Sequence, residues 1–96
     1  MASVTDNITH HRFEMVVDGQ TAFLDYAFED GRLVLIHTEV PQALEGHGIG
    51  ATLVRSVLNE ARTRSLQIVP RCEFVVEYLR RHPEFSDLLA PLPEQQ

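Results

Sequence analysis

From His11 to Val17 apolar and polar side chains alternate, with His11, Phe13, Met15 and Val17 on one face and Arg12, Glu14 and Val16 on the other. A period of two is that of a β-strand. Asp18-Gly19 follows, a dipeptide suited to a tight hairpin turn. Alternation resumes over 21–29, where Ala22, Leu24, Tyr26 and Phe28 oppose Phe23, Asp25 and Glu29. A second Asp-Gly pair, Asp30-Gly31, leads into 32–40, whose Leu33-Val34-Leu35-Ile36 run is apolar on both faces. Such a strand is normally central and covered on both sides. Residues 11–40 therefore predict a three-stranded antiparallel meander whose third strand is the most buried, preceded by a polar, frayed lead-in over 1–9.

Beyond Pro41 the period changes. Ile49, Leu53, Val54, Val57, Leu58 and Ala61 line one side of a helix predicted over 49–64. Arg55, Asn59, Arg62 and Arg64 take the other side or the last turn, where positive charge suits the helix dipole. Gln67-Ile68-Val69, stopped by Pro70, predicts a short fourth strand. A second helix is expected over 73–82, with Phe74 paired to Tyr78 and Val75 to Leu79 at i,i+4, and Pro83 closing it. Phe85, Leu88 and Leu89 are expected to pack back on the domain, and residues 90–96 to be disordered. Strand, helix and strand over 32–70 make a β-α-β unit, whose short connections favour a parallel fourth strand reached by a right-handed crossover. The fold class expected is α/β (α+β): an antiparallel meander, a β-α-β crossover to a parallel fourth strand, and a C-terminal helix. The chain reads as one domain over 1–96, with an ordered core over about 10–89.

Composition narrows the function classes without naming one. The net charge of −6 argues against a general nucleic-acid binder, which needs Lys and Arg for phosphates, and agrees with a cationic or amine substrate. All 8 basic side chains are Arg, a compositional habit and not a sign of chemistry. One cysteine, Cys72, allows no internal disulfide. No apolar run reaches the roughly 20 residues that span a bilayer, and the start of the chain lacks the pattern of a secretory signal. A cytoplasmic domain without membrane contact is the expectation. The histidines show no metal-ligand spacing, and a lone cysteine supports no zinc cluster.

The chemistry is expected where the period changes. Gly46, Gly48 and Gly50 run directly into the first helix. Glycine admits a left-handed backbone and close approach of a ligand, and the helix start offers unpaired N–H groups and the positive end of a dipole. Residues 45–51 thus read as a phosphate cradle; the alternative is a tight strand-to-helix turn that uses glycine for sterics alone. The spacing is shorter than the dinucleotide pattern requires, and the Walker lysine is absent. A parallel fourth strand would gather His37, Thr38, Glu39, the glycine loop and Cys72 at one rim of the sheet. Cys72, after Arg71 at a helix start, has the setting of a thiol with lowered pKa, or of a small buried hydrophobe. His37 and Glu39 share a face near a strand end, where either can take a proton or the two can satisfy each other. His47, between two glycines, reads as exposed, and Tyr78 as core.

Glu45-Gly46-His47-Gly48-Ile49-Gly50-Ala51, entered from a strand and followed by Leu53-Val54, resembles the acetyl-CoA signature of the GNAT (GCN5-related) N-acetyltransferases, (Arg/Gln)-x-x-Gly-x-(Gly/Ala). More narrowly, Leu35-Ile36-His37-Thr38-Glu39-Val40-Pro41 and Ile68-Val69-Pro70-Arg71-Cys72-Glu73-Phe74-Val75 are similar to the corresponding segments of minimal, single-domain GNAT-like proteins. The resemblance covers residues 11–89. It implies binding of acetyl-CoA or coenzyme A, with the pyrophosphate on the backbone of Glu45, Gly46, His47, Gly48, Ile49, Gly50 and Ala51. It also implies that Thr38, Val40 and Pro70 border the cofactor, that Cys72 faces the thioester, and that His37 lies near it. The splay between the third and fourth strands would admit the pantetheine arm. On this reading the chain transfers an acetyl group to an amine, with Cys72 as the active side chain and His37 or Glu39 as base; the alternative is a non-catalytic acetyl-CoA sensor or interaction module. One position departs from the signature: Glu45 stands where Arg or Gln is usual, a negative charge beside the expected phosphates.

Overall fold

The computed structural model describes residues 3–90, and the expectation of a disordered tail falls almost wholly outside them. Five strands, β1 (Val4–Asn7), β2 (Arg12–Val17), β3 (Gln20–Glu29), β4 (Arg32–Glu39) and β5 (Ile68–Pro70), form one sheet in the order β1-β2-β3-β4-β5. The first four are antiparallel, and β5 lies parallel to β4 through Leu33↔Ile68, Val34↔Val69 and Leu35↔Pro70. Helix α1 (Ile49–Thr63) makes the crossover and helix α2 (Glu73–Arg81) follows β5. The fold is the expected one: a meander, a β-α-β unit with a parallel last strand, and a C-terminal helix.

The lead-in is not frayed. Val4–Asn7 pairs with β2 from Val4↔Met15 to Asn7↔Arg12. A polar strand of four residues lacks a clear period of its own and is held by tertiary contacts. The Tyr26 hydroxyl donates to Asp6 Oδ1 at 2.6 Å and Arg64 reaches Asp6 Oδ2 at 3.2 Å, tying β1 to β3 and to the end of α1. His11, expected inside the first strand, stands before it with φ 53°, and its carbonyl accepts from the Tyr26 N–H at 2.9 Å.

One hydrophobic cluster holds the domain. Phe13, Met15, Ala22, Leu24, Tyr26, Leu33 and Leu35 from the sheet meet Leu53, Val54, Val57, Leu58 and Ala61 of α1 and Val75 and Tyr78 of α2. Phe85 and Leu88, in the 3-10 turn Pro83–Leu88, complete it, as expected, and Leu89 bridges to Ile68. Both helices feed this one cluster, so they lie on the same side of the sheet. The expectation that β4 is covered on both sides is therefore corrected: Leu33, Val34 and Leu35 are buried, but Ile36 is 44% exposed. Val34 lies outside the main cluster, on the helix-free face between Ala27 and Val69 of the flanking strands, and neighbouring strands alone suffice to bury so short a side chain.

Ile36 shares the helix-free face with Val34, and the strand pairing is irregular beside it. Tyr26 pairs with Leu35 and Asp25 with His37, which leaves Ile36 unpaired as a β-bulge. A bulge bends the strand that carries it and resets its side-chain alternation. Pairing of β4 with β5 also stops at Leu35↔Pro70, although β4 continues to Glu39. The pairing of the two parallel strands thus ends at the bulge, and beyond it Cys72 Sγ is still 3.4 Å from Thr38 Oγ1.

Candidate active site

The chain leaves β4 through Val40-Pro41 into a 3-10 turn, Gln42–Leu44, whose buried Leu44 anchors the loop. Gly46 and Gly48 then adopt φ 86° and 72°, conformations that cost other residues strain, and Gly48 is the N-cap of α1. No side chain caps this helix start and its first turn carries no acid. The first bond of the helix runs from the Thr52 N–H to the Gly48 carbonyl at 3.0 Å. Among the described residues, the backbone N–H groups of 46–51 donate no well-formed backbone hydrogen bond, although residues 45–48 form a turn. The space around Gly46 and Gly48 is open for 4 Å from where a Cβ would stand. Amides free at the positive end of a 15-residue helix have the geometry that suits an anion.

These amides border a cleft of about 500 Å³, lined by Thr38, Glu39 and Val40 of β4 and its end, by Leu44, Glu45, Gly46, Gly48, Ile49, Gly50 and Ala51, and by Phe74 of α2. The volume is within the range of small-molecule sites. Nine of the residues predicted from the sequence line it. Three others lie close by but do not, and His37 sits on a different face. His47 is exposed in the turn. Pro70 is the last residue of β5, paired with Leu35 where the pairing with β4 ends. Cys72 stands behind Thr38, 8% exposed, with Sγ 3.4 Å from Thr38 Oγ1. His37 and Glu39 do share a face, but it is the helix-free one: both follow the bulge, and the His37 ring lies 6.2 Å from that of Phe23. His37 Nε2 is 3.0 Å from Glu39 Oε1. Glu39, at the strand end, links that pair to the cleft; His37 does not reach it.

Cys72 is the N-cap of α2. Burial pushes its thiol pKa up, but hydrogen bonding to Thr38 and the N–H groups of Val75 and Phe74 outweigh this and leave it below the ordinary value. The thiol donates to the Thr38 hydroxyl; the thiolate would accept from it. This is the environment in which a helix start favours the charged sulfur.

Phe74 is the residue that sequence reasoning misplaced. Paired with Tyr78 in the sequence, it instead turns into the cleft, 45% exposed, while Tyr78 is buried and stacks on His82 at 4.1 Å. The signal was Gly50: a glycine inside a helix needs a close neighbour to explain it, and the Phe74 ring is that neighbour.

Two comparisons bear on this arrangement. The solution NMR structure of a GCN5-like protein from Staphylococcus aureus superposes with a TM-score of 0.72 over 95% of this chain and 90% of that one, at 24% sequence identity, a likeness of fold. The family model for GCN5-related N-acetyl-transferases matches residues 12–88, from the start of β2 to the end of the last turn. With that match over most of its length, on a sheet with a parallel β-α-β crossover, the chain belongs to the GCN5-related N-acetyltransferase family.

Proposed function

We propose that this chain binds acetyl-CoA and transfers its acetyl group to an amine. The observation that carries the reading is the run of amides over 46–51 that donate no well-formed backbone hydrogen bond, bordering a cleft lined by Thr38, behind which Cys72 stands. The residues fit the group. A diphosphate would take the free N–H groups, and Val40, Leu44 and Phe74 offer apolar surface to the arm.

When bound, acetyl-CoA supplies an acyl group activated as a thioester. Transfer to an amine would make an N–C bond, break the C–S bond so that the coenzyme leaves as a thiolate with that electron pair, and free a proton from the amine. Glu39, at the lip of the cleft, is the group suited to accept that proton, with His37 holding the carboxylate from the far side at 3.0 Å. Cys72 serves as the active side chain beside the thioester, its proton shared with Thr38. The acidic balance of the chain supports a cationic amine as acceptor.

A second reading, a non-catalytic module that senses acetyl-CoA, draws on Glu45 at the cradle and on the burial of Cys72. Thermal melting with acetyl-CoA and with CoA, followed by mass spectrometry of the protein and the thioester, separates the two. Ligand at 100 times Kd adds about 2.7 kcal/mol, or roughly 10–20 °C in Tm for a domain of this size. A shift with thioester loss in the presence of an amine is expected for the enzyme. A shift without chemistry leaves the sensor, and no shift with either ligand refutes both.

A further inference from the structure

Four of the five glycines, Gly19, Gly31, Gly46 and Gly48, have φ between 72° and 86°, where glycine is needed for the backbone alone. Gly50 is different. It lies in the first turn of α1 with a helical backbone, where alanine would favour the helix by about 1 kcal/mol. A Cβ at Gly50 would stand 2.6 Å from Cζ of Phe74 and 3.2 and 3.3 Å from its two Cε atoms. The tip of the ring therefore occupies the place of the missing side chain. The rest of the ring borders the cleft and remains exposed, an unusual state for a large aromatic so close to a core. Its backbone belongs to the same helix start that holds Cys72.

We propose that Phe74, seated on Gly50, is a specificity-determining residue of the cleft: it selects a nucleoside diphosphate that carries an extended arm over the bare nucleoside diphosphate. The ring is seated on Gly50 of the cradle and lines the same cleft as Val40 and Leu44, so an arm lying in that cleft meets it. A ligand that ends at its diphosphate makes no use of this surface. The inference rests on the reading that the cradle takes coenzyme A, and adds to it the residue that reads the arm.

Dephospho-coenzyme A and ADP share the nucleoside diphosphate and differ in the pantetheine arm, so their binding to the whole chain, measured by titration calorimetry, isolates the effect. An arm that covers about half of the exposed ring, roughly 50 Å², contributes about tenfold in Kd. Phe74→Ala is expected to weaken dephospho-coenzyme A about tenfold and to leave ADP within twofold. Gly50→Ala keeps the ring but drives its tip from its seat into the cleft, and is expected to weaken dephospho-coenzyme A more than ADP. Adding Phe74→Ala to Gly50→Ala should then recover part of that loss. Phe74→Leu, which keeps apolar bulk without the ring, replaces Phe74→Ala should circular dichroism find that variant unfolded. Equal losses for the two ligands, or none, overturn the inference while the coenzyme A reading stands. Failure of the unmodified chain to bind either ligand overturns both.

Discussion

Replacing Glu45 tests whether the free amides hold phosphate. The side chain is exposed, lines the cleft, and makes no ion pair among the described residues, so its removal should leave the Tm of the free protein unchanged. Its carboxylate is on the same short loop as the cradle, and a separation of about 6 Å from a diphosphate bound there is taken for the Coulomb energy. Each pair of like charges at that distance in water repels by about 0.7 kcal/mol, and a diphosphate diester carries two. Screening over about 8 Å at physiological salt halves the total to about 0.7 kcal/mol, or threefold in Kd. Glu45→Gln should therefore tighten coenzyme A binding about threefold, and Glu45→Arg, which reverses the sign, about tenfold. Near 1 M salt the screening length falls to about 3 Å and both gains should nearly vanish. Calorimetric titrations of the three proteins at low, physiological and high salt provide the comparison. A weaker or unchanged Kd for Glu45→Gln at low salt would show that the diphosphate does not lie on this loop. A gain that ignores salt would show that its cause is not charge.

Two further outcomes are expected. Thr38→Val keeps the shape of the side chain and deletes the hydroxyl that favours the Cys72 thiolate, so the midpoint of thiolate absorbance against pH should move upward; an unmoved midpoint would assign the low pKa to the helix start alone. Burial, then the Asp6 carboxylate beside it, pushes the Tyr26 phenol up to about 12. The native state thus keeps a proton that the unfolded chain loses near pH 10, so the contribution is whole below pH 10 and is lost as pH rises towards 12. Denaturant titrations between pH 8 and 11.5 should find stability falling over that window, and Tyr26→Phe should flatten the fall; a fall of the same size in the variant would place its origin elsewhere.

The one-sided sheet follows from the same features that shape the cleft. Among the described residues, no helix covers Val16, Ile36 and the Phe23–His37 pair, because both helices lie opposite. Glu39 lines the cleft and pairs with His37 of that bare face, so its carboxylate is open to solvent on the side away from the helices.

What the chain states by itself is periodic or local. Alternation over 11–29, the two Asp-Gly turns and the apolar stripe of 49–61 determine strands, hairpins and helix, because those signals repeat over several residues and each arises from neighbours in sequence. The glycine loop was legible for a similar reason: a left-handed backbone before a helix leaves few alternatives. Other features needed the folded chain. The strand at 4–7 exists through Asp6 meeting Tyr26 and Arg64, twenty and fifty-eight residues away. The bulge at Ile36 is a mismatch between two strands, invisible in either, and it sends His37 to the helix-free face while Thr38 turns towards Cys72. Phe74 obeys the helical period and yet leaves the core, since a gap of one missing Cβ on another helix receives its ring better than its neighbour Tyr78 does. Periodicity records which side of its own element a residue takes; what that side meets is decided by register and packing, which only the assembled sheet and helices supply.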